Sequence, residues 1–153
     1  MNTTNRKALF PGSFDPFTKG HMDIVLRGSA LFDQVVIGVG INTAKQRYFP
    51  LEMMLAKIEE ACKGLTNVSV LSYEGLTAEF AKKIEAHFLI RGLRNTTDFE
   101  YENTIAQANR HLWSELETVF LITEPGLAFI SSSIVRDLHK YKGDVTTFLP
   151  YLI

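Results

Sequence analysis

The fold of this chain is decided by one stretch near its start, Phe10-Pro11-Gly12-Ser13-Phe14-Asp15-Pro16-Phe17-Thr18-Lys19-Gly20-His21. The stretch directly follows the first apolar run, Ala8-Leu9-Phe10, and directly precedes a helical pattern. Its glycines, prolines and hydroxyl groups, with a histidine at the first turn of the coming helix, are typical of a strand-to-helix turn that binds an anion. Such a turn presents backbone N–H groups to a phosphate.

The composition predicts one globular domain over residues 1–153. Of the 153 residues 46% are hydrophobic and 22% are charged, with a formal net charge of -1, so neither disorder nor a nucleic-acid partner is indicated. No apolar run approaches the ~18 residues of a membrane helix. The single cysteine, Cys62, cannot form an internal disulfide, and residues 1–7 lack the apolar segment of a signal peptide. We therefore expect a cytoplasmic protein with no membrane partner.

Short β-branched runs alternate with helical patterns along the whole chain. Strands are predicted at 7–10, 35–39, 68–71, 88–90 and 119–122, and helices at about 21–32, 51–62, 76–86, 98–113 and after residue 131. Thr97, with Glu100 three residues later, predicts a capping box at the start of the fourth helix. The alternation implies right-handed crossovers. The predicted fold class is α/β, a Rossmann-like open sheet of five parallel strands with helices on both faces.

Ligands of open α/β sheets bind beyond the carboxyl ends of the strands. The segments predicted to follow the strands there are the opening turn and residues 40–45, 73–77, 91–94 and 124–133. They contain the candidate anion-binding residues His21, Lys45, Arg91 and Arg94, and a hydroxyl cluster at Ser131-Ser132-Ser133. Because the chain as a whole is nearly neutral, cations gathered on one rim predict a polyphosphate ligand.

Other well-known motifs are missing from the sequence. A Walker A loop would read G-x-x-x-x-G-K-[ST], and neither Gly12 nor Gly20 begins one. The dinucleotide fingerprint G-x-G-x-x-G starts at Gly38 but has Thr43 in place of the third glycine. Paired cysteines and H-E-x-x-H are both lacking, so no protein metal site is predicted. Ser13 has no obvious Asp–His partners in sequence for a hydrolase triad.

Several of the polar side chains near this rim also have structural interpretations. Arg91 emerges from a buried strand and needs a partner, so the structural alternative for it is an ion pair with Asp98 or Glu100. Arg47, in a polar loop, is interpreted as a surface charge. Asp15 is interpreted as a residue that fixes the turn rather than as a metal ligand.

Four sequence strings together resemble a known enzyme family. Thr18-Lys19-Gly20-His21 resembles the T/S-x-G-H element of the nucleotidylyltransferase superfamily. It is followed in order by Ile90-Arg91-Gly92-Leu93-Arg94 with Asp98-Phe99-Glu100-Tyr101-Glu102, then Phe129-Ile130-Ser131-Ser132-Ser133 with Val135-Arg136, then Gly143-Asp144-Val145 with Phe148-Leu149-Pro150. With the wider opening string, these resemble the phosphopantetheine adenylyltransferase family of coenzyme A biosynthesis. The resemblance covers nearly the whole chain.

The resemblance implies roles for individual residues. Ser13, Phe14 and His21 would lie at the phosphates of ATP, with His21 as the transition-state stabiliser. The rest of the nucleotide would be held by Gly92, Leu93, Arg94, Glu102, Leu127, Ala128, Phe129, Ile130, Ser131, Ser132 and Ser133. The second substrate, 4′-phosphopantetheine, would be held by Ser13, Lys45, Thr77 and Arg91, of which Lys45 and Arg91 would also be catalytic. The family uses Mg2+ with ATP and usually assembles as a homohexamer, so both are expected here.

The chemistry expected of such a site is in-line attack without a covalent intermediate. A phosphate monoester has its second ionisation near pH ~6, so the acceptor is already an oxyanion at neutral pH and needs no general base. A donor aimed at the developing charge is worth roughly 3–4 kcal/mol, whereas a helix N-terminus alone gives about 0.3–1 kcal/mol. His21, Lys45 and Arg91 are therefore needed in addition to the helix end.

Two other classes of function remain open at this point. One is a nucleotidylyltransferase acting on nicotinamide mononucleotide or on a cytidylyl acceptor. The other is a non-catalytic nucleotide-binding module, because a fold alone does not determine activity.

Overall fold

The structure, a computed structural model, describes residues 5–153. Residues 1–4, which belong to the stretch considered above as a possible signal peptide, lie outside the described residues. Five strands alternate with five helices: β1 (Lys7–Gly12), α1 (Lys19–Leu31), β2 (Gln34–Ile41), α2 (Leu51–Ala61), β3 (Val68–Glu74), α3 (Thr77–Lys83), β4 (Phe88–Leu93), α4 (Thr96–Leu112), β5 (Glu117–Ile122) and α5 (Ser132–Lys140). Short 3-10 turns lie at Pro125–Leu127 and Thr146–Phe148. The predicted alternation is confirmed.

The five strands form one sheet in the order β3-β2-β1-β4-β5, and all neighbouring strands are parallel. The predicted α/β class, with its Rossmann-like sheet of five parallel strands, is confirmed. The chain moves outward from β1 through β2 and β3, then returns to the other side of β1 with β4. This reversal creates a switch point between β1 and β4, where a ligand crevice opens at the carboxyl ends of the strands.

Each face of the sheet is covered by its own apolar cluster. On one face, Phe10 of β1 packs in a cluster with Ile24 of α1 and Met54 of α2. On the other face, Leu9 of β1 packs in a cluster with Ala78 of α3. Successive side chains of a strand point to opposite faces, so a strand covered on both sides is apolar throughout. Among residues 5–153, no helix is both long enough and apolar enough to cross a membrane.

Several predicted boundaries were wrong. The first three strands continue to Gly12, Ile41 and Glu74, so the starts of the predicted segments 40–45 and 73–77 are strand residues, and the third helix ends at Lys83. The fourth strand does not end at residue 90, because its pairing with β5 continues through Arg91↔Phe120 to Leu93↔Ile122. Arg91, Gly92 and Leu93 are therefore strand residues and not loop residues. Helix α4 begins at Thr96, and its cap is Asn95, whose side-chain oxygen accepts the N–H of Asp98 at 2.9 Å. The predicted Thr97–Glu100 capping box is not formed, since Asn95 already satisfies this helix end.

Candidate active site

Three cavities adjoin at the carboxyl ends of β1, β2 and β4. The α4 chamber, of about 660 Å³, lies between these strand ends and helix α4 and includes Thr77 and Asn109. The His21 chamber, of about 280 Å³, includes His21, Gly92 and Ser131. The Lys45 chamber, of about 810 Å³, includes Lys45 and Arg47. Ser13 lines all three, so the opening turn is their common wall.

His21 is held in one orientation by a capping box at the start of α1. Thr18 is the N-cap residue, and its hydroxyl accepts the backbone N–H of His21 at 3.4 Å. In return the ring Nδ1 of His21 accepts the backbone N–H of Thr18 at 2.9 Å. Because Nδ1 is an acceptor, the proton of the neutral ring lies on Nε2. The Nε2–H group is thus available as a hydrogen-bond donor in the His21 chamber.

The surroundings of His21 keep its ring neutral. The rings of Phe14 and Phe17 lie 5.0 and 5.5 Å from it, centroid to centroid. Burial first, and then the positive charges of Arg91 and Arg94, lower the pKa of His21 to about 3. At neutral pH the residue can donate a hydrogen bond to a phosphate without carrying a charge of its own.

Phe14 faces the site through its backbone only. Its side chain is 3% exposed and packs in the core, and the ring lies so close to Gly12 that a Cβ there would be 2.8 Å from it. The residue has a φ of 45°, which is uncommon outside glycine. This left-handed conformation turns the ring inward and leaves the peptide groups of the turn beside the chamber.

Arg91 is fixed by a two-pronged ion pair with Glu102. Its Nε donates to Oε2 at 2.7 Å and its Nη2 donates to Oε1 at 2.5 Å, while its Nη1 donates to the carbonyl oxygen of Pro11. The structural alternative predicted for Arg91, a pair with Asp98 or Glu100, was therefore wrong about the partner. Of the five N–H groups of a guanidinium, two remain for an anion. Glu102 uses both of its oxygens to orient Arg91.

A second ion pair of the same kind holds Arg94. Its Nε and Nη2 donate to the two carboxylate oxygens of Asp98 at 3.0 and 3.2 Å. These hydrogen bonds from Arg94, the side-chain ones first, lower the pKa of Asp98. Both pairs join the end of β4 to the first turns of α4, so the two cations are carried on a rigid part of the fold.

The residues expected to bind phosphopantetheine are divided between two chambers. Thr77 lines the α4 chamber, where its hydroxyl lies 2.9 Å from that of Tyr73. Lys45 is exposed and lines the Lys45 chamber. Lys45 does not line the α4 chamber or the His21 chamber. Ser13 and Arg91 line both of them.

Only part of the expected nucleotide-binding run reaches the His21 chamber. Ile130, Ser131 and Ser132 line it, together with Gly92 and Arg94. The others lie elsewhere: Leu127 and Ala128 are half-buried, Phe129 is 61% exposed, Ser133 accepts a hydrogen bond from Arg136, and Leu93 is buried without lining the chamber. Ser131 caps α5 by accepting the N–H of Ile134 at 3.2 Å, as expected of a helix start.

Asn109 and Thr123 are polar residues of the site that sequence reasoning missed. Asn109 is 8% exposed and lines the α4 chamber. It lies seven residues after Glu102, which places both on the same face of α4. That spacing could have indicated it. Thr123 is 7% exposed and lines the His21 chamber next to Gly92, and nothing in the local sequence distinguishes it.

Comparison with known proteins gives the family. Residues 9–138 match the cytidylyltransferase-like family model. The chain is 63% identical over 146 residues to the phosphopantetheine adenylyltransferase of Cytophaga hutchinsonii, covering 95% of this chain and 97% of that one. It is 54% identical over 145 residues to the enzyme of the same name from Flavobacterium johnsoniae, covering 95% of each.

A solved structure supports the fold independently. The crystal structure of a bifunctional NMN adenylyltransferase/ADP ribose pyrophosphatase from Francisella tularensis superposes with a TM-score of 0.74 at 13% identity, over 97% of this chain and 46% of that one. At this identity the likeness shows the architecture alone. The identity to the two curated relatives, over nearly their full lengths, is the stronger finding. The chain therefore belongs to the phosphopantetheine adenylyltransferase family, within the cytidylyltransferase-like proteins.

Proposed function

We propose that this chain transfers the adenylyl group of ATP to 4′-phosphopantetheine, giving dephospho-coenzyme A and pyrophosphate. The observation that carries the proposal is that the α4 and His21 chambers share the wall formed by Ser13 and Arg91. Two anionic substrates bound on either side of that wall would bring their phosphates together at one set of donors. The names of the curated relatives support the same substrates.

The α4 chamber is proposed to hold the pantetheine arm. Its wall combines apolar surface from Ile105 and Ala106 with the amide of Asn109 and the hydroxyl of Thr77. An amide side chain in the wall of a chamber can both donate and accept hydrogen bonds with a ligand. The arm of phosphopantetheine carries amide groups on an aliphatic chain, so its chemistry matches this wall. Lys45, in the neighbouring chamber, would supply charge to the phosphate end.

The His21 chamber is proposed to hold the nucleotide. Gly92 lets Ile24, which also lines this chamber, pack closely against the strand, because a Cβ at position 92 would lie 3.1 Å from Ile24. Ser131 and Ser132 stand at the N-terminus of α5, where unpaired N–H groups favour an anion. Among the residues expected from the resemblance, Glu102 would act by orienting Arg91. Any contact with the nucleotide from the other expected residues would have to come from outside this chamber. These residues are Leu127, Ala128, Phe129 and Ser133.

In the proposed reaction an oxygen of the phosphopantetheine phosphate attacks the α-phosphorus of ATP. A new P–O bond forms there as the bond from the α-phosphorus to the bridging oxygen breaks, and pyrophosphate leaves with that electron pair. The acceptor is already ionised, so no proton has to be removed. The Nε2–H of His21 would donate to the charge that develops on the α-phosphoryl oxygens, and the two remaining N–H groups of Arg91 would neutralise charge at the meeting point. Such positioning and electrostatic stabilisation is the general logic of phosphoryl transfer.

Magnesium is proposed to enter as part of the MgATP complex. Mg2+ is usually bound through substrate phosphates and one or two carboxylates rather than by a cage of protein ligands. Within residues 5–153, no group of three or more His, Cys, Asp or Glu side chains lies together in a way that could hold a metal ion. The carboxylates of the His21 chamber, Asp98 and Glu102, are paired with Arg94 and Arg91, and its other polar groups can donate hydrogen bonds to the phosphates of the complex.

Product analysis tests the function directly. Native protein is incubated with MgATP and phosphopantetheine, and the products are separated by chromatography, with nicotinamide mononucleotide and CTP as alternative substrates. We expect dephospho-coenzyme A and pyrophosphate, and a loss of about 10²–10³-fold in turnover for His21→Ala. His87→Ala is the matched control, since His87 directly precedes β4, at the end of the sheet opposite the chambers. No dephospho-coenzyme A, or an unimpaired His21→Ala variant, would contradict the proposal.

Three further properties are proposed with the function. Residues 1–153 are taken to form a single domain, which the one continuous sheet supports. A homohexamer in the cytoplasm is proposed from the family resemblance. Light scattering at micromolar concentration measures the stoichiometry, and a monomer would contradict the hexamer.

A further inference from the structure

The turn between β1 and α1 is held by side chains from distant parts of the chain. All five carbonyl oxygens from Ser13 to Phe17 accept a side-chain hydrogen bond. The donors are Arg47 Nη1 to Ser13 at 2.7 Å, Arg47 Nη2 to Phe14 at 3.1 Å, Arg136 Nη1 to Asp15 at 2.6 Å, Ser132 Oγ to Pro16 at 2.8 Å and Tyr151 Oη to Phe17 at 2.6 Å. A turn whose carbonyl oxygens are all hydrogen-bonded to side chains of other segments has a defined orientation.

The carbonyls that Arg47 holds determine where the neighbouring N–H groups point. In a trans peptide the C=O and the following N–H point in opposite directions. Fixing the Ser13 and Phe14 carbonyls on Arg47 therefore directs the N–H groups of Phe14 and Asp15 away from it. Within residues 5–153 these two N–H groups have no hydrogen-bond partner. Phe14 lines the His21 chamber and Asp15 lines the Lys45 chamber, and an N–H donor in either wall suits a phosphate.

Arg47 also joins the turn to the loop that carries Lys45. Its Nε donates to the carbonyl of Phe49 at 3.3 Å, and its side chain is only 16% exposed. In the other direction the carboxylate of Asp15 accepts the backbone N–H groups of Tyr48 and Phe49, both at 2.8 Å. The interpretation of Arg47 as a surface charge was wrong. Asp15 fixes the turn as predicted, and does so against this loop.

We propose that Arg47 is a positioning residue for adenylyl transfer, which holds the turn 13–15 and the Lys45 loop in one arrangement. This inference rests on the proposed function. The left-handed φ of 45° at Phe14 is disfavoured for a residue with a side chain, so the turn needs outside support. The planar fork of a guanidinium can hold two neighbouring carbonyls at once, whereas a lysine ammonium is a point donor.

The key variant is Arg47→Lys, because it keeps the charge and removes the fork. If Arg47 only attracts anionic substrates, Arg47→Lys retains most of the activity. If it positions the turn, Arg47→Lys and Arg47→Ala both lose about 10²-fold in kcat, the effect expected of a misplacement of about 1 Å. The KM values for ATP and phosphopantetheine should change much less than kcat. Arg6→Lys is the matched control, since Arg6 pairs with Asp33 beside the start of β1.

Chemical rescue separates positioning from a merely structural role. Arg47 lines the Lys45 chamber, so added ethylguanidinium can enter the space left in Arg47→Ala. We expect ethylguanidinium to restore part of kcat and ethylammonium to restore none, with thermal unfolding measured on every variant.

Three outcomes would overturn the inference. They are a kcat of Arg47→Lys within about threefold of the native kcat, equal rescue of Arg47→Ala by ethylguanidinium and ethylammonium, or loss of the folded state in both variants. An inactive native enzyme would instead contradict the proposed function.

Discussion

Lowering the pH from 7 to 5 is expected to destabilise the native protein by about 2 kcal/mol more than a His21→Gln variant. The variant keeps the helix start, because glutamine at the third helical position can accept the N–H of the Thr18 cap as His21 Nδ1 does. The substitution removes the imidazole ring, and the experiment tests whether that ring stays neutral in the folded state.

The magnitude follows from the difference between the two states of the chain. Burial, with Arg91 and Arg94, lowers the pKa of His21 to about 3 in the folded state, whereas an unfolded histidine has a pKa of about 6.5. Between these values the unfolded state binds a proton that the folded state does not. The contribution of His21 to the free energy of unfolding is therefore fully present above pH ~6.5 and is lost as the pH falls toward 3. From the unfolded pKa of about 6.5 down to pH 5 is about 1.5 pH units. At about 1.36 kcal/mol for each unit, the free energy of unfolding decreases by about 2 kcal/mol.

Urea unfolding at pH 7, 6 and 5 measures this difference, with the fluorescence of the single tryptophan, Trp113, as the signal. Other titrating groups are shared by the two proteins and cancel in the difference, provided that the protein concentration is held constant. Nitrogen-15 NMR of the ring should show an unprotonated Nδ1 and a protonated Nε2 at pH 5. Parallel stability curves for native and His21→Gln protein, or a ring that titrates near pH 6.5, would refute the reasoning.

Two other substitutions test the packing and the acceptor chamber. Gly38→Ala is expected to cost about 1–3 kcal/mol in urea unfolding, because its Cβ would lie 2.7 Å from the side chain of Leu9. Gly126→Ala is the control, since among residues 5–153 no atom outside its two chain neighbours lies within 4 Å of a Cβ there, and equal costs would contradict the packing argument. Asn109→Leu is expected to raise the KM for phosphopantetheine by about 3–10-fold, the value of one neutral hydrogen bond, without changing the KM for ATP. An equal change in both KM values would show that Asn109 does not serve the acceptor.

Patterns that extend over a few neighbouring residues were sufficient for much of the fold. The apolar run at 35–39 predicted a strand covered on both faces, and all five of these residues are buried in β2. The opening string placed a strand, a turn and a helix in order, and its family resemblance led to the residues now found around the His21 chamber. Such patterns are readable because side-chain periodicity reports directly on local structure.

The ends of strands and the caps of helices were harder to predict from the sequence, because they depend on competition between neighbouring residues and segments. The fourth strand continues to Leu93 because β5 lies beside it and supplies hydrogen-bonding partners. Asn95 caps α4 in place of Thr97, although both residue types are suitable caps. The sequence contained both possibilities, and packing selected one.

The partners of the charged residues were decided only by the tertiary structure. Arg91 pairs with Glu102, 11 residues away, and not with Asp98 or Glu100, which were its predicted structural partners. Arg47 looked like a surface charge, yet it holds carbonyls 34 and 33 residues away. The sequence alone was enough to establish the α/β architecture and the phosphate-binding turn, because both arise from contiguous residues. Which cations stay free to meet a phosphate depends on distant chain segments that only the folded sheet brings together.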